Sequence, residues 1–495
     1  MKKLTLIIAS FIAINGSAQV SRLGQDIEYM GEISTTLSDG DIAPFWISSN
    51  RYGLNSTEAN SGYLRGSLFR ATSADEGREW KVGYGADLVV PVNHTSSFFI
   101  HQLYGELEYN IFRLTAGAKE MPLEFTNGKL SLGDMTLGNN ARPIPQIRLD
   151  MTDFWTVPGC DEWLGLKAML SYGWFTDNNW QEDFTNKQSM YSANSLYHNK
   201  ALYIRVGNEE RFPLTFTGGL EFSTQFGGEA WNVAKRLDDQ SEFDNSHIKL
   251  NNGIKGYWNA FFMGGSDAND GDYKNAEGNH LGSWQGSLKY KGKDWSVKGY
   301  FEHYFEDHSQ LFFEYGWKDM LWGIEAELPD NPIVSNAVVE YISTKDQTGG
   351  LYHDATTALP IQISGQDNYY SHHVYGAWQH WGQNIGIPLL ISPIYNNGRI
   401  TCLHSRIRAT HVGLMGNPIN NLHYRLLYTH MKSWGTYILP LVNPEKDSFL
   451  LTEITYDSHK FKGWSLTGSI GVNSGKVISN STGFSLTLRK KGVLR

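Results

Sequence analysis

WQGSLKYKGKDWSVKGYF, residues 284–301, repeats with a period of two on both sides of a turn. Trp284, Gly286, Leu288 and Tyr290 alternate with Gln285, Ser287 and Lys289. After the polar turn at 291–294, Trp295, Val297, Gly299 and Phe301 alternate with Ser296, Lys298 and Tyr300. Successive side chains of a strand point to opposite faces, so this hairpin has one apolar face rimmed by aromatics and one polar face.

The same spacing recurs along the chain. Leu164, Leu166, Ala168, Leu170, Tyr172 and Trp174 form one row, and Leu214, Phe216, Leu220 and Phe222 another. Near the end come Leu450, Ile454 and Tyr456, then Trp464, Leu466, Ile470 and Val472, then Phe484, Leu486 and Leu488. A water-soluble sandwich would alternate too, but three features favour a membrane. The segments run about 9–12 residues, as a tilted membrane-spanning strand requires, against about 5–6 in ordinary sheets. Trp and Tyr recur at the ends of the apolar rows, where amphipathic rings settle at the lipid–water boundary. Short connections, at 108–110 and 291–294, alternate with long polar ones at 176–200, 226–280 and 344–373. The first candidate strand covers residues 27–37, and counting segments gives about 16–18 strands. A barrel that wide has a lumen that side chains alone do not close; Gln102, Glu106 and Glu108 form an inward polar row.

At the start of the chain, Lys2 and Lys3 precede an apolar run from Leu4 to Ile14 and the small residues Gly16, Ser17 and Ala18. This is the pattern of a secretory signal peptide. We expect cleavage after Ala18, leaving residues 19–495 as a single barrel domain. The apolar run is shorter than the ~20 residues a spanning helix needs, and no later run is long enough. The chain carries 42 basic and 51 acidic side chains. Removing Lys2 and Lys3 leaves 40 against 51, a charge of −11. An acidic chain without a basic cluster points away from nucleic acid as a partner. Cys160 and Cys402 could form one bridge but no disulfide framework, and neither has a neighbour at metal-ligand spacing.

Two aromatic stretches carry the functional expectation. APFWISSNRYGLN, residues 43–55, sets Phe45, Trp46, Arg51 and Tyr52 among turn-forming residues. In one reading the rings are girdle residues and Arg51 pairs with a lumen carboxylate. In the other, Trp46 stacks on a sugar ring while Arg51 holds hydroxyls or acidic groups. DNYYSHHVYGAWQHWGQNIGIPLLISPIYNNG, residues 367–398, resembles it in composition, with Tyr369, Tyr370, Tyr375, Trp378 and Trp381 beside His372, His373 and His380. Neighbours on a strand face opposite ways, so His372 and His373 read as structural rather than as metal ligands.

Together with LGNNARPIPQIRLDM at 137–151 and FPLTFTGGLEFSTQFGG at 212–228, these stretches resemble the Wzi-type capsule assembly proteins of the Gram-negative outer membrane. The resemblance runs across nearly the whole mature chain. It implies an 18-stranded barrel with a lectin-like role, holding exported capsular polysaccharide at the cell surface, and it does not imply an enzyme. The chain departs from the family in having no recognisable periplasmic helical bundle; residues 230–239 are the only short helical candidate.

Enzymatic readings are weaker. His430 and Ser433 are three residues apart, hence on opposite faces of a strand, which denies the serine an activating base. The acidic loop at 266–275 fails the spacing of an EF-hand, which needs Gly at its sixth position and Glu at its twelfth. The expectation is therefore an all-β fold, a transmembrane antiparallel β-barrel of about 18 strands with long extracellular loops. Its partners would be capsular or exported polysaccharide, outer-membrane lipid and lipopolysaccharide, with no nucleic acid, cofactor or metal. Trp46, Arg51, Trp378 and Trp381 are the candidate glycan-binding residues. A diffusion channel for sugars or small solutes is the alternative, and a hydrolase is third.

Overall fold

The alternation at 284–301 becomes two antiparallel strands in which Leu288 faces Gly299 and Tyr290 faces Val297. Leu288, Tyr290 and Trp295 stand exposed on the outside, while Gln285, Ser296 and Glu302 are buried on the inside. We describe the fold from a computed structural model covering residues 23–494 except 237–242, 265–277, 307–317, 330, 348–351, 354–362 and 365–366. The signal segment and the acidic loop at 266–275 lie outside the described residues.

The chain closes into a barrel of 18 antiparallel strands. The first six are β1 (Ile27–Ile42), β2 (Glu58–Arg70), β3 (Trp80–Val92), β4 (Phe99–Tyr109), β5 (Phe112–Ala118) and β6 (Gln146–Met151). A two-residue segment, Trp155–Thr156, pairs with the same neighbour as β6 and continues it after a break. Next come β7 (Leu164–Trp174), β8 (Leu196–Val206), β9 (Leu214–Phe226), β10 (Asn279–Lys291), β11 (Ser296–Glu306) and β12 (Met320–Glu327). The last six are β13 (Asn336–Ser343), β14 (Ile407–Ile419), β15 (Leu422–Gly435), β16 (Pro440–Asp457), β17 (Trp464–Gly475) and β18 (Ser481–Leu494). Each strand pairs with its sequence neighbour, and β1 pairs with β18 from Ile27 opposite Leu494 to Ser38 opposite Gly483. Closure leaves no unpaired edge, the condition for a sheet to cross hydrocarbon. No helix among the described residues is long and apolar enough to cross a membrane.

One end of the barrel has turns of two to nine residues; the other carries the long connections. By the usual arrangement of such barrels the long-connection end faces outward from the cell. Three of its segments fold back into the lumen. Residues 43–57 enter with a short helix, α1 (Phe45–Ser48). Residues 119–145 bring Leu130, Leu132 and Met135, and residues 367–405 bring Tyr369, Tyr370, Trp378 and Leu390. They pack into one core with Leu281, Leu321, Ile342, Phe449 and Leu451 of the wall. Here the strict alternation lapses: the inward side chains at the outer strand ends are apolar because what they face is protein, not water.

Irregular segments carry backbone N–H groups with no ladder to join, and inward carboxylates accept them. Glu340 Oε2 accepts from Leu132 N at 2.7 Å, Glu302 Oε2 from Met135 N at 2.6 Å, and Glu306 Oε1 from Tyr370 N at 2.6 Å. Asp447 accepts from the backbone of Lys476, Val477 and Ile478. These acids serve as fixed anchors for the plug.

Outside the lumen, a short helix α2 (Trp180–Phe184) follows β7. Residues 230–239, expected to be helical, fall largely in an extended strand, Glu229–Arg236, in a small sheet with Tyr191–Ala193 and Phe243–Lys249. The helix of this connection comes later, as α3 (Ile254–Phe262). Cys160 and Cys402 are both free thiols; Cys402 is buried in the plug, with its Sγ donating to the Leu390 carbonyl.

Candidate functional site

The four residues singled out for glycan contact separate into two groups. Trp46 is 1% exposed, and its Nε1–H donates to Thr429 Oγ1 at 3.1 Å while the ring packs edge-on against Phe45. Trp378 is 0% exposed and donates to the Thr136 carbonyl at 2.9 Å. Both are core residues of the plug, with no face open to a sugar, because the loops that carry them turn inward. The girdle reading of residues 43–55 is likewise overturned: Phe45 stacks on Phe449 in the lumen and Tyr52 donates to the Met121 carbonyl. Arg51 does pair with a lumen carboxylate, its Nη2 lying 2.7 Å from Glu453 Oε2, which Arg425 shares.

Trp381 is different. It sits at the tip of a hairpin in which Gln379–His380 pairs with Gln383–Asn384. Trp381 and Gly382 both have positive φ, 56° and 82°, the signature of a two-residue type I′ turn. A bulky residue in that conformation is uncommon, and Gly382 is required there because a Cβ would lie 2.5 Å from the Trp180 ring. The turn lays the half-buried Trp381 ring over the guanidinium of Arg142, 4.4 Å from its centroid. The Phe99 ring also packs on this guanidinium, its centroid 3.8 Å away.

Arg142 was not singled out from sequence, although it lies in the quoted stretch 137–151. Pro143 and Pro145 favour extended backbone around it. Its Nη2 donates to Thr95 Oγ1 at 2.7 Å and to His94 Nδ1 at 2.9 Å, and Nη1 to Ser96 Oγ at 3.1 Å. The buried Nε has no partner among the described residues. Arg51, Arg65, Arg113 and Arg425 each have a carboxylate; among the described residues Arg142 has only neutral acceptors and rings. Burial without a counter-charge pushes its guanidinium down to about 9. Burial and Arg142 together push His94 down to about 3, so His94 is neutral and its Nδ1 accepts.

Other clusters are already satisfied. Asp87, His101 and Glu120 place ligand atoms within 4.8 Å of one another, but Arg65 Nη2 lies 2.5 Å from Asp87 and 3.4 Å from Glu120 and supplies the cation. His430 is exposed and bonded to Ser448, whereas Ser433 is buried and bonded to His404 Nδ1 at 3.0 Å. His430 and Ser433 do fall on opposite faces. His372 and His373 do not oppose each other: their rings stack at 4.4 Å, because only a two-residue bridge at Ser371–His372 precedes a turn there.

No family model matches the chain, and no curated protein is similar to it in sequence. Among solved structures, the chain is similar to Wzi of Escherichia coli, described as an outer membrane protein involved in group 1 capsule assembly and a carbohydrate-binding β-barrel. The identity is 14% over 95% of this chain and 86% of that one, with a TM-score of 0.56. OccAB2 of Acinetobacter baumannii has 9% identity over 95% of this chain and 98% of its own, with a TM-score of 0.48. OprD of Pseudomonas aeruginosa has 9% identity over 95% and 96%, with a TM-score of 0.45. What this likeness establishes is the fold.

Proposed function

We propose that this is a Wzi-type barrel of the Gram-negative outer membrane that binds capsular or exported polysaccharide without catalysis. The observation that carries the reading is the Arg142–Trp381 stack beneath the outer end: an aromatic face to lie on a sugar ring, backed by a buried cation with no anion among the described residues. Such a cation favours acidic repeat units, since a carboxylate would provide the charge-assisted acceptor that its neutral partners do not. Many weak contacts along a repeating polymer add up by avidity rather than by one tight site. The apolar plug packed into the outer lumen favours an anchor over a diffusion channel.

The test is binding of purified protein to an acidic and to a neutral capsular oligosaccharide. We expect preference for the acidic one, lost in Arg142→Gln and weakened in Trp381→Ala. Equal binding by all three proteins would overturn the assignment of the site. In cells, a capsule that stays attached and normally organised after gene deletion would overturn the function.

A further inference from the structure

We propose that α3 lies in the outer leaflet of the membrane, flat against the outside of the barrel, with its exposed face in the lipid hydrocarbon. The face of the wall it covers is fixed by strand parity. On β8 the outward residues Leu202, Ile204 and Val206 are exposed, so His198 and Lys200 share their face. On β9, Phe216 is exposed, so Phe222, Thr224 and Phe226 share its face. These upper positions are where α3 docks. Lys200 Nζ donates to the Phe261 carbonyl, Thr224 Oγ1 donates to the Ala260 carbonyl at 3.2 Å, and the Tyr257 ring meets Phe226 edge-on at 5.2 Å. Phe222, Phe305 and Met263, the residue after the helix, form a buried cluster beneath its C-terminal end.

The helix buries Gly256, Asn259 and Ala260 against the wall. It turns outward Ile254, Trp258 and Phe262, which are 89%, 64% and 57% exposed and fall four residues apart on one stripe. Spacing of this kind puts them on one face. A barrel needs an outward apolar band about 25 Å tall. On β8 the exposed apolar row runs only from Leu202 to Val206, which at about 3.3 Å per residue and a tilt near 40° reaches roughly half that height. A helix is about 10 Å across, and laid over the upper positions it restores the missing height. The polar outward groups Lys200 and Thr224 would be costly in hydrocarbon; the helix screens them and accepts their hydrogen bonds. Below it, the same wall carries an apolar groove lined by Phe216, Gly286, Leu288, Gly299, Phe301 and Trp322. The exposed stripe of α3 therefore continues the lipid-facing surface.

The experiment uses the full chain in lipid nanodiscs, with Cys160→Ser and a single fluorophore attached through Trp258→Cys. Ile204→Cys serves as the lipid-facing control and Val442→Cys, at a 97% exposed outer position, as the aqueous control. We expect lipid-borne bromine to quench the label at 258 as strongly as at 204, and aqueous iodide to quench it no more than at 204. Iodide quenching equal to that at 442 would overturn the proposal. So would shielding from both quenchers, which would mean that another protein surface covers the stripe. The same measurement through Phe262→Cys decides the matter should the change at 258 disturb folding.

Discussion

The outer and periplasmic halves of the lumen are lined by the same strands but filled by opposite chemistry. In the outer half, Leu130, Met135, Trp46 and Trp378 pack against Leu281, Leu321 and Phe449, and inward glutamates hold plug backbone. In the periplasmic half the inward rows form ion pairs: Arg489 and Arg65 with Glu32, Arg113 with Asp150, Lys298 with Glu325, and Arg425 with Glu453, which also takes Arg51 of the returning segment 43–57. Arg51, Arg113, Lys298 and Arg489 remain partly exposed, while their carboxylates are mostly buried. The difference teaches that inward polarity alone does not make a channel. Paired charges line one half, while three returning segments turn the other into a protein core.

The comparison can be broken most directly by removing a segment. Replacing residues 122–143 with a short Gly/Ser linker takes out Leu130, Leu132 and Met135, and an unplugged barrel of this width leaves an aqueous channel. We expect conductance in planar bilayers to rise by an order of magnitude or more over a nearly silent native protein. A deletion variant as silent as the native one would show that the seal lies elsewhere.

Acid should separate the halves next. Burial pushes His380 of the plug down to about 4, below its unfolded value of about 6.5. Between those values the unfolded chain binds a proton that the folded one does not, so stability falls as pH drops through that window. The loss from His380 is at most about 3 kcal/mol, and His94, pushed down to about 3, adds to it. Melting in detergent from pH 7 to 4 should show this slope, shallower in His380→Gln.

Smaller effects sharpen the contrast. Glu302→Ala leaves the Met135 and Thr136 N–H groups without an acceptor, at about 1–3 kcal/mol for each buried group. Arg51→Ala should cost about 1 kcal/mol, because Arg425 and Ser469 still serve Glu453. Both are read as shifts in melting temperature. Raising salt from 0.1 M to 1 M cuts the screening length from about 10 Å to 3 Å; it should narrow the Arg51→Ala difference and leave that of Glu302→Ala unchanged.

The wall was legible in the sequence because lipid outside and polar groups inside impose a period of two over strands long enough to span a bilayer, and residues 284–301 fold as their alternation requires. The plug was not legible. A loop rich in rings and turn formers has the same composition whether it faces solvent or folds inward, so Trp46 and Trp378 looked like a platform and proved to be core. Arg51 found a carboxylate as one reading had it, because a cation among turn residues beside acidic inward rows has few other places to go. Arg142 escaped notice since nothing local marks it; its character comes from Phe99 and Trp381, 43 and 239 positions away. The helix at 254–262 was hidden in a long connection read as polar, where its four-residue stripe is too short to stand out.

The ladder that joins Ile27 to Leu494 also governs the order of assembly. β1 has only one neighbour until β18 has been synthesised, so the cylinder cannot be sealed while the chain is still emerging. Contacts so distant in sequence form slowly, and until they do, two bare strand edges are available to any other chain. The polypeptide must therefore be kept apart from its own copies during transit and completed only where a bilayer awaits it.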